Sequence, residues 1–232
     1  MKIVSWNCQN GLNEVKANAI RELHPDADIF IIQECRRTDI YAFKNDWKFK
    51  NWYGDDWEKR SDLGIAVFSK KHDIGFTDVF NREFRYVIPY KVKADKKTLI
   101  LFIVWTKPVP HSYDKNVTQA VSYYKDVIIG EAILIGDFNT FAKNDNGRLE
   151  VLEREMNPLI NCAKDTKFWE TPTYFHNEKD GYGINDFCFA SESIYADIKE
   201  IKIHDDWEEN QKGQKSWSGL SDHCPIMVEF DF

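Results

Sequence analysis

Seven polar residues of this chain have the types and positions to do chemistry: Asn7, Glu34, Asp137, Asn139, Asp186, Asp222 and His223. Each stands at one end of a short apolar run. Residues 3–6 lead into Asn7, residues 29–32 into Gln33-Glu34, and residues 133–135 into Gly136-Asp137-Phe138-Asn139. Asp186 opens the run 187–190, and Ser221-Asp222-His223 comes just before the run 225–230. In open α/β sheets ligands bind outside the carboxyl ends of the strands, where the loops diverge. If the last two runs lie antiparallel to the first three, their starts share that edge. Glu34, Asp137, Asp186 and Asp222 would then repel one another by several kcal/mol unless a cation neutralised them. All-oxygen, carboxylate-rich ligation favours a hard ion, Mg2+ or Mn2+, which keeps waters and shares its coordination with a phosphate. The chemistry implied is that of a phosphoester. Singly, each residue is weak: an Asp after a strand is a common turn former or helix cap. The ensemble carries the signal.

The elements that must position these residues are legible in the hydrophobic pattern. Runs at 3–6, 29–32, 63–68, 99–105, 132–135, 187–190 and 225–230 are too short for ordinary helices and rich in Ile, Val and Phe, which predicts strands. The run 99–105 shows no polar alternation, so it belongs in a sheet covered on both faces. Helical spacing links Val15, Ala19 and Leu23, then Val117, Ala120, Val121, Tyr124 and Ile128, then Leu149, Leu152, Met156 and Leu159. The spacing predicts a first βαβ unit of strand 2–6, helix 14–23 and strand 28–32. Strands 84–92 and 98–105 are expected to form a hairpin across the polar turn 93–97. A mixed α/β architecture with helices covering at least one sheet face follows. No repeat, charge block or linker marks a boundary, so one domain over 1–232 is expected.

Composition narrows the class. Only 11 Gly and 7 Pro occur in 232 residues, which excludes low-complexity and collagen-like chains. Thirty-one Lys and Arg against 38 Asp and Glu give a net charge of -7, which weakens any simple picture of a broad basic nucleic-acid surface. Four of those acids belong to the predicted site, so part of the acidity is the signature of a bound cation. Five cysteines without a CxxC pair argue against a disulfide framework and a zinc site. No apolar stretch approaches the length of a membrane span, and the start lacks a long signal-like apolar region. A cytoplasmic protein with no membrane partner is expected.

Taken together, Trp6-Asn7, Gln33-Glu34, Gly136-Asp137-Phe138-Asn139, Asn185-Asp186-Phe187 and Ser221-Asp222-His223 resemble, in order and spacing from residue 3 to 230, the motifs of the endonuclease/exonuclease/phosphatase superfamily. The resemblance implies a four-layer α/β sandwich of two packed mixed β-sheets flanked by helices, with one metal-dependent phosphoesterase site at their shared edge. It also implies roles. Glu34 would be the principal metal ligand, Asn7 would contact metal or phosphate, and Asp222 would complete the metal environment. Asp137 would orient and deprotonate the attacking water, with Asn139 helping to hold it. His223 would contact a non-bridging phosphate oxygen as an imidazolium, oriented by Asp186.

The resemblance has gaps. Many members carry Thr-His at the end of the central strand, where this chain reads Trp105-Thr106-Lys107. His111 or Tyr113 could serve the leaving group instead, and Lys107 could contact phosphate. Asn185 stands where an apolar residue is usual. Trp47, Trp52, Tyr53 and Trp57 alternate with Lys48, Lys50, Lys59 and Arg60. Those rings could stack bases, or equally could fold onto a sheet edge. Arg36 and Arg37 lie beside Glu34, either to meet a phosphate backbone or to balance the acids. Trp207 and Trp217 flank the loop before Ser221 and could border the site. The leading expectation is a Mg2+ (or Mn2+) dependent phosphodiesterase with DNA as its substrate. The alternatives are a phosphatase or phosphodiesterase of a small molecule, nucleotide or lipid headgroup, and a non-catalytic binding module on the same fold. Endo against exo action and oligomeric state stay open at the level of sequence.

Overall fold

The structure is a computed structural model that describes residues 1–43, 47–54, 62–107, 113–142, 148–177, 181–209 and 215–232. Its first half contains β1 (Lys2–Asn7), α1 (Glu14–Leu23), β2 (Ile29–Arg36), β3 (Phe49–Tyr53), β4 (Leu63–Ser69), β5 (Asp73–Phe76), β6 (Val87–Lys93) and β7 (Thr98–Trp105). Then follow α2 (Tyr113–Tyr123), α3 (Lys125–Ile128), β8 (Ala132–Ala142), α4 (Arg148–Met156), β9 (Ile160–Asn161), β10 (Tyr174–Asn177) and β11 (Gly181–Ala190). The chain ends with α5 (Glu192–Tyr195), β12 (Ile198–Ile203), β13 (Trp207–Glu209), β14 (Lys215–Trp217) and β15 (Ile226–Phe230).

These strands form two large mixed sheets and a small hairpin, β13-β14. One sheet has the order β12-β15-β1-β2-β4-β3 and the other β10-β11-β8-β7-β6-β5, with β9 beside β11. β1 and β2 are parallel and β15 is antiparallel to β1. In the second sheet β7 and β8 are parallel and β11 is antiparallel to β8. The expected arrangement, two late strands antiparallel to the early ones, is therefore the one observed.

Alternation along the second sheet shows why it is covered twice. Leu101, Ile103, Ile133, Ile135, Cys188 and Ala190 join the core shared with the first sheet. Their neighbours Phe102, Val104, Leu134, Phe187 and Phe189 point the other way, into a second core with Val117, Ala120 and Val121 of α2 and Leu149, Leu152 and Met156 of α4. α1 packs Ala17 and Ile20 on the first sheet. The chain is thus a mixed α/β protein in which sheet faces sheet and helices lie outside. Among the described residues no helix is long and apolar enough to cross a membrane. All five cysteines are free and buried.

Several expectations need correction. Val15 is exposed, because the stripe that meets the sheet is Ala17 and Ile20, one position round the helix. The helix expected through 117–128 breaks at Tyr124, whose hydroxyl accepts a hydrogen bond from the Asn81 N–H at 2.9 Å and ties the break to the loop before β6. Phe84 lies in a 3-10 turn, Arg82–Phe84, capped by Asn81, so β6 starts only at Val87. Asp137 and Asn139 are inside β8, and Asp186 inside β11, rather than at strand ends; Asp137 and Asp186 face each other as cross-strand partners.

Gly136, just before Asp137, has φ +144°, and a Cβ there would sit 2.0 Å from the Val104 carbonyl oxygen on β7. Only glycine tolerates both conditions. Gly136→Ala is expected to cost at least about 2 kcal/mol, read as a lowered urea midpoint. An unchanged midpoint would show that β7 and β8 can separate without penalty.

Candidate active site

Asp137 continues the inward-facing series Ile133, Ile135, and Asp186 continues the series Ala190, Cys188, so both carboxylates point toward the first sheet. From that sheet comes Asn7, at the end of β1. Its Nδ2 donates to Asp137 Oδ2 at 2.9 Å and lies 3.2 Å from Glu34 Oε1. Asn7 thus bridges the two sheets at their common edge. Deeper in, Gln33 donates to Ser5 Oγ at 2.8 Å and approaches the Val104 carbonyl of the second sheet, which fixes the separation beneath the site.

Simple alternation along β2 would turn Glu34 away from Gln33 and out of the site. The register with β4 shifts between Gln33 and Cys35, and Glu34 takes φ +56°. A bulge of this kind re-aims a side chain at a local conformational cost of about 1–2 kcal/mol. Glu34 Oε1 is held by Asn7, and Oε2 accepts the Asn10 N–H at 2.9 Å. Asn139 likewise has φ +51°; its backbone N–H donates to Asp137 Oδ1 and its Nδ2 to Asp137 Oδ2, both at 2.8 Å.

His223 completes the group. Its Nδ1 is 2.8 Å from Asp186 Oδ2, and both side chains are nearly inaccessible. Its backbone carbonyl accepts the indole N–H of Trp6 at 3.0 Å. The Ser221 hydroxyl donates to the Asn7 carbonyl at 2.7 Å and accepts the His223 N–H at 3.1 Å. Asp186 is held in turn by Thr173, whose Oγ1 accepts the N–H groups of Asn185 and Asp186 at 3.0 and 2.9 Å. The Tyr174 ring packs on the imidazole, 4.6 Å between centroids. Sequence reasoning missed Thr173 and Tyr174, because hydroxyl and ring residues before an unpredicted short strand carry no spacing signal. Asp222 Oδ1 is 4.0 Å from His223 Nε2.

Charge follows from this burial. Desolvation pushes the Asp137 carboxyl up; the His223 charge opposes it and that of Asp186 adds to it, leaving the group at about 7. Burial alone would discourage an imidazolium at His223, but the charges of Asp186 and Asp137 and the hydrogen bond to Asp186 outweigh it and raise the ring to about 10. Burial also raises Asp222. The site therefore holds a cationic imidazole beside a carboxyl poised to exchange a proton near neutrality.

One atom each from Asp137, Asp186 and His223 lies within 4.8 Å of the others, a spacing that could hold a metal ion. An imidazolium is no ligand, however, and Asp137 already accepts three donors from Asn7 and Asn139. Glu34, with Asp222 close by, offers a second set of carboxylate oxygens suited to a hard divalent cation. Asn7, expected to contact metal or phosphate, turns its Nδ2 to Glu34 and Asp137 and its Oδ1 to the Gln9 N–H, and so orients Glu34 instead.

The remaining expected site residues divide. Trp217 is buried and packs edge-on against Trp6, 5.0 Å between centroids, so it presents no ring to a substrate and instead backs the strand that carries Asn7. This corrects its expected place at the border of the site. Arg36 pairs with Asp62 at 3.2 Å and Asp39 at 4.0 Å, close under Gly11, and so balances acids rather than standing unengaged. The Lys107 ammonium lies over the Trp105 ring at 3.5 Å. Trp47 packs among Phe30, Phe43 and Phe68, and Trp52 donates to the Cys35 carbonyl at 2.7 Å, so these rings fold onto the sheet edge. His111, Trp57, Lys59 and Arg60, and the side chain of Tyr113, lie outside the described residues.

The sequence model of the Endonuclease/Exonuclease/phosphatase family matches residues 4–223. No curated protein matches the chain. Among solved structures, the 3'-5' exonuclease NExo from Neisseria meningitidis is 16% identical with a TM-score of 0.69, each chain covered in full. The Neisseria 3' phosphatase NExo bound to product DNA hairpin is likewise 16% identical over the whole of both chains, with a TM-score of 0.68. An AP endonuclease from Archaeoglobus fulgidus is 14% identical over the whole of both chains, with a TM-score of 0.66. At such identities the likeness is one of fold.

Proposed function

The chain belongs to the endonuclease/exonuclease/phosphatase family, whose members are metal-dependent phosphoester hydrolases, and on that footing we propose that it is a Mg2+-dependent phosphodiesterase acting on DNA. The observation that carries the reading is the buried group in which Asp137 is clasped by Asn7 and Asn139 beside the Asp186–His223 pair. A carboxylate without competing water, its donors fixed, is a competent base for a water attacking phosphorus. Water oxygen forms the new P–O bond, its proton passes to Asp137, and the bond to the leaving ester oxygen breaks, the departing alkoxide taking a proton from solvent. The His223 imidazolium meets a non-bridging oxygen, where negative charge accumulates, and Asp186 keeps it protonated and oriented. Glu34 and Asp222 are the residues that would hold the cation, Mg2+ or Mn2+, with Asn7 orienting the Glu34 carboxylate. When bound it supplies Lewis-acid polarisation of the phosphate, worth several kcal/mol. DNA is favoured among phosphodiesters by the fold's likeness to a protein bound to a DNA hairpin and to an AP endonuclease.

The test is hydrolysis by the pure protein of plasmid DNA, abasic duplex, single-stranded RNA and bis-nitrophenyl phosphate, with Mg2+, with Mn2+ and with EDTA. Metal-dependent cleavage of a DNA substrate is expected. Cleavage of the generic ester alone would remove DNA, and silence on all four would remove the nuclease reading and favour a binding module.

The pH profile follows from the same geometry. Asp137 must be ionised to take a proton, so kcat/KM is expected to rise as pH passes through about 7. His223 must keep its proton, so the rate falls again as pH passes through about 10. Asp186→Asn removes the largest influence raising the imidazole and should bring the alkaline limb down by roughly one to two units. An alkaline limb that does not move would assign it to another group.

A further inference from the structure

The turn between β1 and α1 runs through three consecutive left-handed residues, Gln9 at φ 49°, Asn10 at 59° and Gly11 at 107°. Two of these are not glycine, so the turn needs outside support to persist. Three N–H groups here are held by side chains: Gln9 N–H by Asn7 Oδ1 at 3.0 Å, Asn10 N–H by Glu34 Oε2 at 2.9 Å, and Leu12 N–H by Asp39 Oδ2 at 2.8 Å. Its carbonyls converge on one cation. Lys16 Nζ donates to the carbonyl oxygens of Cys8, of Gln9 at 2.7 Å and of Gly11 at 3.2 Å. An ammonium has three protons, so all are used. Lys16 sits in the first turn of α1, where Asn13 caps its N–H at 2.9 Å, and helical side chains lean toward the N-terminus, which returns this one to the turn it follows.

We infer that Lys16 is a positioning residue for Glu34: by gathering three carbonyls of the β1–α1 turn it fixes the Asn10 N–H that holds the Glu34 carboxylate at the metal-binding edge. This rests on the reading of Glu34 as a metal ligand. Two effects of removing Lys16 have opposite signs. Its charge lies near Glu34 and Asp222, and loss of a positive charge there would tighten binding of a divalent cation. Loss of the clamp would free the turn and loosen it. Residues that orient a metal ligand through a hydrogen bond are worth about 10–100-fold in metal affinity, so the positional effect should win.

The experiment is titration of the full chain with Mn2+, followed by water-proton relaxation, for wild type, Lys16→Met, Lys16→Arg, Glu34→Gln and the double variant Lys16→Met/Glu34→Gln, each checked for folding by circular dichroism. Lys16→Met should weaken Mn2+ about tenfold, Lys16→Arg should recover part of the loss, and Lys16→Met should add less than about twofold to the already weakened Mn2+ binding of Glu34→Gln, titrated to higher Mn2+, where no carboxylate remains to be positioned. Unchanged or tighter Mn2+ binding in Lys16→Met overturns the inference, as does an undiminished loss in the Glu34→Gln background. If Lys16→Met does not fold, the same comparison is made with Lys16→Gln, which keeps an amide donor, and the same two results decide. Wild type that binds no Mn2+ removes the metal reading of Glu34 and this inference with it; wild type that binds, with Lys16→Met indistinguishable, removes the inference alone.

Discussion

Asp137→Asn leaves the protein folded and lowers metal-dependent phosphodiester turnover by at least about a thousandfold. The loss is this large because the amide removes two things at once. It can no longer accept the proton of the attacking water, and it breaks the donor pattern around it. Asp137 accepts the Asn139 N–H on Oδ1 and the side-chain amides of Asn7 and Asn139 on Oδ2. An Asn can turn its oxygen to only one of these sides, leaving donor facing donor on the other. Stability should change little, since two terms oppose. The burial that raises the carboxyl means that its ionised form is costly in the fold above about pH 7, and Asn has no such cost. Against this stand the lost hydrogen bonds and the lost charge opposite His223. Turnover measured at saturating Mg2+, with a urea melt on the same sample, checks both halves. A folded variant within tenfold of wild type would take the general-base role from Asp137.

His223→Ala would lose turnover too, but it also strands Asp186, a buried carboxylate left without its partner. Its result mixes chemistry with stability, so the Asp137 variant is the cleaner test.

What the sequence revealed of this arrangement, and what it hid, have a common physical basis. Apolar runs that end in Asn, Gln-Glu and Gly-Asp reported the strands and the edge at which they meet, because core burial demands the first and ligand chemistry the second. The bounds of helix α1 were legible from the spacing of Val15, Ala19 and Leu23, but its deepest face was not: Ala17 and Ile20 are the residues it buries, and Val15 is exposed. The bulge at Glu34 was not legible. It exists because the Asn10 N–H and the Asn7 amide hold the carboxylate from across the edge, and these are contacts of tertiary structure, invisible in a local window. Edge strands such as β3 and β5, polar on one side, were missed for a related reason: their pairing with β4 and β6 defines them, not their own pattern. Trp217 misled because an aromatic in a charged loop reads as exposed, whereas the β13-β14 hairpin folds it onto Trp6.

The second large effect concerns the cation. Glu34→Gln is expected to remove most of the stabilisation that Mn2+ or Mg2+ confers on the folded protein, leaving only weak binding through the remaining donors. Any ligand that binds only the native state adds RT ln(1 + [L]/Kd), about 2.7 kcal/mol at a hundred times Kd, and so raises the melting temperature of the wild type by several degrees. The substitution is close to isosteric. The amide oxygen can keep either the Asn10 N–H or the Asn7 amide, and glutamine is no worse than glutamate at φ +56°, so the metal-free protein should melt near wild type. What disappears is the formal charge, and a neutral amide is a poor ligand for a hard divalent ion that keeps most of its water. The same measurement discriminates between the two sets of donors at this edge. If the ion sits instead between Asp137, Asp186 and His223, Glu34→Gln keeps most of the metal-induced rise and His223→Gln loses it. If Glu34 is the principal ligand, most of the rise is lost in Glu34→Gln and kept in His223→Gln, because an imidazolium held by Asp186 was never part of the coordination. A full rise in both variants would place the metal at neither set.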